Sequence, residues 1–290
     1  QRAQAGDVLA QLGDPRFDAQ RFFLPADEML GYERIAADPG IMIGTRPGDR
    51  ERVSRIAGYG LQDDEINDTP TPTPEFYIAR YPVTVAQFRA FVEATGYPIG
   101  DSNALRDPDS RPVRWVSWHE ALACCDWLNE VLATSGVFAG HPIARLVREQ
   151  AWRVALPSEL EWEKAARGGL IGAVFPWGDE ADPERANYDA AEINDSSAVG
   201  CFPANGFGLY DLAGNVWEWT RSVYGPYPYD PSDVKREDLN SGSDVSRVVR
   251  GGSWFNHRGL ARCAFRGRGH PGARNGFLGF RVVLRSSPVL

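Results

Sequence analysis

The stretch ALPSELEWEKAARGG (155–169) decides the class of this chain. Ser158 precedes a helical pattern, and Glu161 stands three residues further on. Together they form the two halves of a capping box. Acidic residues open the segment and Arg167 closes it, as the helix dipole favours. Gly168 and Gly169 then stop it. The spacing therefore predicts a helix over 159–167. Working toward the N-terminus, Thr84 caps a helix over 85–95, with Val85, Phe88, Phe91 and Val92 on one face and Gly96 as its stop. A further helix is read over 119–134, with Ala121, Cys124, Cys125, Leu128 and Leu132 on one side. A short one at 4–13 carries Val8, Leu9 and Leu12. Toward the C-terminus the pattern changes. After Gly169 no helix is predicted, and short apolar runs such as Arg247–Arg250 and Phe280–Leu284 read as strands, as do Phe76–Ala79 and 40–45. The remainder of 16–50 reads as irregular. LQDDEINDTPTPTPE (61–75) reads as an acidic, proline-rich loop, because its alternating prolines forbid a helix.

Composition narrows the possibilities. Thirty Gly, 21 Pro and nine Trp in 290 residues point to many turns around aromatic anchors, and the tryptophans are assigned to core packing. The formal charge of −8 argues against nucleic acid as the principal partner. Arg247 to Arg281 nevertheless holds eight Arg and no Asp or Glu, and reads as a solvated basic surface. Asp63–Asp64–Glu65 and Asp179–Glu180 likewise read as solvated loops. Cys124, Cys125, Cys201 and Cys263 lack metal-ligand spacing, and the four His form no H-x-x-x-H pair. No apolar run is long enough to span a membrane, and no signal peptide is seen, so a cytoplasmic location is expected. There is no Ser-His-Asp constellation, nucleophile elbow or phosphate loop. Residues 1–25 are expected to form a helical extension left from a longer chain with an upstream signalling domain. Residues 26–290 form one domain.

Seven motifs then occur in a recognisable order: ARYPVTVAQFRAFVEATGY (79–97), PVRWVSWHEALACCDWLN (112–129), ALPSELEWEKAARGG (155–169), FPWGDE (175–180), NGFGLYDLAGNVWEWT (205–220), VVRGGSW (248–254) and GFLGFRVV (276–283). They resemble the formylglycine-generating enzyme and sulfatase-modifying-factor family over about residues 40 to 285. The resemblance implies an α+β, C-type-lectin-like fold with little regular secondary structure. It also implies structural Ca²⁺, with Asp211, Gly214, Val216 and Glu218 as ligands. Asn187 would begin a second site whose loop is shortened here. The family's enzyme holds copper with two cysteines after its GGS-aromatic motif. Here Asn256 and Ala261 occupy those positions, and neither supplies the thiolate that soft Cu(I) needs. No copper and no enzymatic activity are therefore expected.

Residues 250–282 also resemble the variable region of proteins diversified by retroelements, which use this fold. That resemblance implies a frame, RGGSW–ARCA–R–R–P–R–GFR, with exchangeable positions between: Phe255, Asn256, His257, Gly259, Leu260, Phe265, Gly267, Gly269, His270, Gly272, Asn275, Gly276, Phe277 and Leu278. All are residues that mutated AAC or AAT codons can encode, and the segment contains no Lys, Glu, Gln or Met. The expected function is receptor-like binding of a protein or other macromolecule at this surface. Trp254, Arg262, Ala264, Arg266, Arg268 and Phe280 would hold it from behind. The alternatives are a related oxidase domain and a scaffold domain of a signalling protein.

Overall fold

The computed structural model describes residues 1–242 and 244–286. Six helices are present among them: α1 (Arg2–Leu12), α2 (Arg50–Ala57), α3 (Val85–Thr95), α4 (Trp118–Thr134), α5 (Pro142–Glu149) and α6 (Glu159–Arg167). The strands are β1 (Phe17–Asp18), β2 (Leu24–Pro25), β3 (Tyr32–Ile35), β4 (Asp38–Ile41), β5 (Thr71–Thr73), β6 (Phe76–Ala79), β7 (Trp152–Ala155), β8 (Trp217–Val223), β9 (Arg247–Arg250), β10 (Gly267–Gly269), β11 (Leu278–Phe280) and β12 (Val283–Ser286).

The capped helices fall where their caps place them. Thr84, Ser117 and Ser158 each accept a bond from the N3 backbone, and Gln87, Glu120 and Glu161 return it, so all three carry complete capping boxes. Gly96 and Gly168 end α3 and α6 in the left-handed conformation. Two helices were not foreseen. In α2 only Val53 and Ala57 are buried, and four of its eight residues are charged. In α5 the run is short and begins on Pro142. The predicted strand at 40–45 lies at β4 instead. It pairs with β5, so part of the TPTPTP segment is a strand, its Thr side chains turned inward.

Two four-stranded sheets organise the domain, in the orders β3-β6-β12-β7 and β10-β9-β8-β11. The first joins the start of the domain to its end, since Val283 pairs with both Ile78 and Ala155. The second is antiparallel except for β11, which runs parallel to β8 with Leu278 opposite Trp217. The single strand expected over 280–284 is thus two strands in two sheets. Between them Arg281 is fully buried against Glu218, which turns the chain from one sheet to the other. The main core packs α3 and α4 against these sheets, with Trp118 and Trp219 fully buried. Helix α1 buries none of its own residues and is tied on by Asp7, which accepts from Arg111 at 2.7 and 2.9 Å.

Candidate binding surface and candidate calcium sites

The basic run 247–281 is not a solvated surface. Arg247, Arg250, Arg262, Arg266 and Arg281 are all buried. Each of the last four meets a glutamate from an earlier part of the chain. Arg262 pairs with Glu65, Arg281 with Glu218, Arg266 with Glu159, and Arg250 with Glu163. Helix α6 is the centre of this network. Glu159, Glu161 and Glu163 alternate along it, and Glu161 takes Arg221 at 2.6 Å. Burial alone would push Glu159 up, but the Arg266, Arg250 and Arg236 charges outweigh it and hold the carboxyl below its ordinary range. Glu65, expected to be solvated, is 2% exposed beneath Arg262. The sequence offered these arginines and glutamates as separate runs, and only the fold pairs them.

The segment between the buried arginines divides into two kinds of residue. Phe255 is exposed at 44%, and its ring meets Phe277 at 5.0 Å and Trp254 at 5.2 Å between centroids. Trp254 therefore stands in the surface cluster, not behind it. His257 and His270 are exposed, and each accepts a backbone N–H two residues on, closing its own turn. Gly272, Asn275, Leu260 and Phe265 are half-buried, with Phe265 against Trp217. Arg268, expected behind the face, is exposed upon it.

Six positions expected to be exchangeable are held in place by packing or hydrogen bonds. Gly259 is buried, and a Cβ there would lie 2.7 Å from Tyr59 Cδ1 and nearer still to the next ring carbon. At Gly267 a Cβ would fall 2.8 Å from Val249 Cγ2, and at Gly269 it would fall 2.6 Å from Trp219 Cη2. Real Cβ atoms do not approach so closely, and interiors are too dense to yield freely. Leu278 is buried as the first residue of β11. Asn256 is held by three donors: its Oδ1 accepts from Trp217 Nε1 at 2.8 Å, Ser253 N at 3.0 Å and Ser253 Oγ at 2.7 Å. Gly276 is confined too, its Cβ position 2.7 Å from Trp115. What is left for recognition is Phe255, His257, His270, Gly272, Asn275 and Phe277, with Leu260 and Phe265 at the edge.

At the two cysteine positions of the family's copper site, the Asn256 amide is thus committed to the turn, and Ala261 is buried. The nearby Cys263 is fully buried and free, with its thiol pushed up to about 12 by burial. A paired thiolate site does not fit these residues.

The calcium residues fit better. Asp211 adopts φ 57 in a tight turn, is half-buried without an ion pair among the described residues, and is pushed up to about 6 by desolvation. Its oxygens accept only from Gly200 N at 2.8 Å and Asn215 Nδ2 at 3.3 Å. Glu218 Oε2 takes Trp162 Nε1 and Arg281 Nε, while Oε1 takes only Arg281 Nη2 at 2.7 Å and keeps a lone pair. Two carboxylates with one arginine leave a net negative charge, which a hard cation would offset. Gly214 and Val216 belong to the same turn, and Gly214 pairs with Asn187. Among the described residues, the Asn187 Oδ1 is itself buried without a partner, as is Ser196 Oγ in the following loop.

The comparisons agree with this architecture. The sulfatase-modifying factor enzyme 1-like domain family matches residues 36–286. The mouse formylglycine-generating enzyme is 30% identical over 305 residues, covering 89% of this chain and 81% of that protein. The serine/threonine-protein kinase Pkn1 of Chlamydia trachomatis is 33% identical over 250 residues, covering 79% of this chain; the chain spans only 36% of that kinase. Among solved structures, Treponema denticola variable protein 1 superposes with a TM-score of 0.62 at 24% identity, covering 88% of this chain and 94% of that one, and shares the fold. With its family match covering most of its length, this chain belongs to the sulfatase-modifying factor enzyme 1-like domain family.

Proposed function

We propose that this chain is a non-catalytic, ligand-binding member of its family. On this reading it displays an exchangeable recognition surface between the fixed residues of 250–282. The observation that carries the reading is the division within that segment. Four of its arginines are paired with glutamates and three of its glycines are packed against aromatic rings, while Phe255, His257 and His270 are exposed and Asn275 and Phe277 stand half-buried beside them. Aromatic rings give such a surface contact area at low entropic cost, and His and Asn give adaptable hydrogen bonds. Its ligand is a protein or other macromolecule, and retroelement-driven codon exchange is the proposed source of its diversity. The match to part of a longer kinase supports an arrangement in which such a domain is joined to a signalling domain. A structural Ca²⁺ held by Asp211 and Glu218 with the Gly214 and Val216 turn, and a second at Asn187, belong to the same proposal.

Comparison of codons 250–282 among sister isolates of the source organism tests the reading. Substitutions are expected at the five projecting positions, at adenines of a nearby near-copy of the segment. Gly259, Gly267 and Gly269 are expected to stay constant. An invariant segment, or variation spread evenly over frame and projecting residues, would overturn it.

A further inference from the structure

A cavity of about 240 Å³ lies away from the projecting residues just described. It opens between β4 with the loop that follows it, the C-terminal end of α6 and the loop 169–174. Ile41, Met42, Val53, Leu170, Ile171 and Phe207 supply apolar walls. Leu170 and Ile171 stand at its rim with 42% and 89% of their surface exposed, so neither serves the core.

One lining residue is out of place in such a wall. Lys164 is only 9% exposed, yet it has no salt bridge among the described residues. Its ammonium carries three donors, and the one protein acceptor found is Ala36 O at 2.5 Å. Asp38 also lines the cavity, but its Oδ1 already accepts from Gly40 N. Burial pushes the Lys164 ammonium down, and Asp38 only partly opposes this. The other cations differ. Arg167 is matched by Glu163, and Arg52 by Asp49 and Asp179. Arg46, exposed in the cavity lining, has no ion pair among the described residues. The cavity therefore combines apolar walls with an excess of positive charge, Lys164 and Arg46 against the single unpaired carboxylate of Asp38 among the described residues. A largely buried side chain whose ammonium makes no ion pair is costly, and the cost is relieved by an anion brought by a ligand.

We infer that this cavity is a binding site for a small amphipathic carboxylate, whose anionic head meets Lys164 and Arg46 and whose apolar body lies along Ile41, Leu170 and Ile171. Arg262 and Ala264 of the 250–282 frame also line it, but none of the projecting residues does, so the site stands or falls without the proposed function.

Titration of the full chain with octanoate, octanamide and inorganic phosphate, followed by calorimetry, tests the assignment. Octanoate should bind saturably at one site. Octanamide should bind about tenfold or more weakly, since a charge-assisted bond is worth at least that ratio. Lys164→Met should lose octanoate by a similar factor. Ile171→Asp places a repelling carboxylate at the rim of a fully formed fold, and should also weaken octanoate if Lys164→Met proves unstable. Equal binding of octanoate and octanamide, binding of phosphate in preference to octanoate, octanoate affinity unchanged in Ile171→Asp, or no saturable binding would each overturn the inference.

Discussion

Gly259→Ala is the sharpest perturbation of the recognition segment, because the resemblance marks the position as exchangeable and the structure does not. The added Cβ would enter the Tyr59 ring, 2.7 Å from Cδ1, and would sit 3.0 Å from Ala57 O. The ring has little freedom to leave, since Tyr59 Oη donates to Gly259 O at 3.1 Å and the Arg262 guanidinium lies over the ring at 5.8 Å from its centroid. Overpacking of this kind costs about 1–3 kcal/mol, and loss of the Tyr59 hydrogen bond adds about 1 kcal/mol. A total of about 2–4 kcal/mol lowers the melting temperature by roughly 4–16 °C at the sensitivity of large domains. The paired control is Phe255→Ser, at an exposed ring, expected to stay within about 1 kcal/mol. Thermal melts of the two variants decide the matter. If Gly259→Ala melts with the parent protein, the packing argument fails and the glycine returns to the exchangeable set.

Further expectations follow from the buried charges and the candidate metal sites. Cu(I) titration should show no stoichiometric binding, and a cysteine-containing sulfatase peptide should gain no formylglycine; turnover above a protein-free control would contradict the reading of Asn256 and Ala261. Chelation of calcium at neutral pH should lower the melting temperature by several degrees, since an ion present at about 100 times its Kd contributes roughly 2.7 kcal/mol. Glu218→Gln should abolish that dependence, and an unchanged melt on chelation would remove calcium from the account. Glu159 and Glu161 have folded pKa values depressed by their arginines, so their stabilisation is complete above the unfolded value of about 4.3 and is lost as pH falls through the lower folded values. Asp211, raised to about 6, acts in the opposite sense above that range, so stability should fall steeply only below about pH 4. A melt that is flat down to pH 2.5, well below the unfolded glutamate value of about 4.3, would contradict this.

Much of the helical half was legible because its signals are local. Thr84, Ser158 and Gly96 specify helix ends from within a few residues, and β6 and β9 fall where their apolar runs place them. Helices α2 and α5 escaped notice because each is only eight residues long and begins without a side-chain cap, the signal that placed α3 and α6. The motif set gave the fold, but not the inside and outside of its last segment. An arginine-rich run has the same composition whether it faces water or a row of glutamates, and Glu159, Glu163 and Glu65 lie 87 to 197 residues from their partners. Glycine was ambiguous for a similar reason. It marks either a tolerant loop or a close approach, and only the rings of Tyr59, Trp217 and Trp219 identify Gly259, Gly267 and Gly269 as the second kind.

The central claim is that the domain's frame holds without its projecting residues. A library with Phe255, His257, His270, Asn275 and Phe277 randomised together, displayed on cells and challenged with protease, measures this directly. The account predicts that most members remain folded and resistant, and that a parallel library at Gly259, Gly267, Gly269, Asn256 and Leu278 is mostly degraded. Comparable survival of the two libraries, or loss of the first, would contradict it.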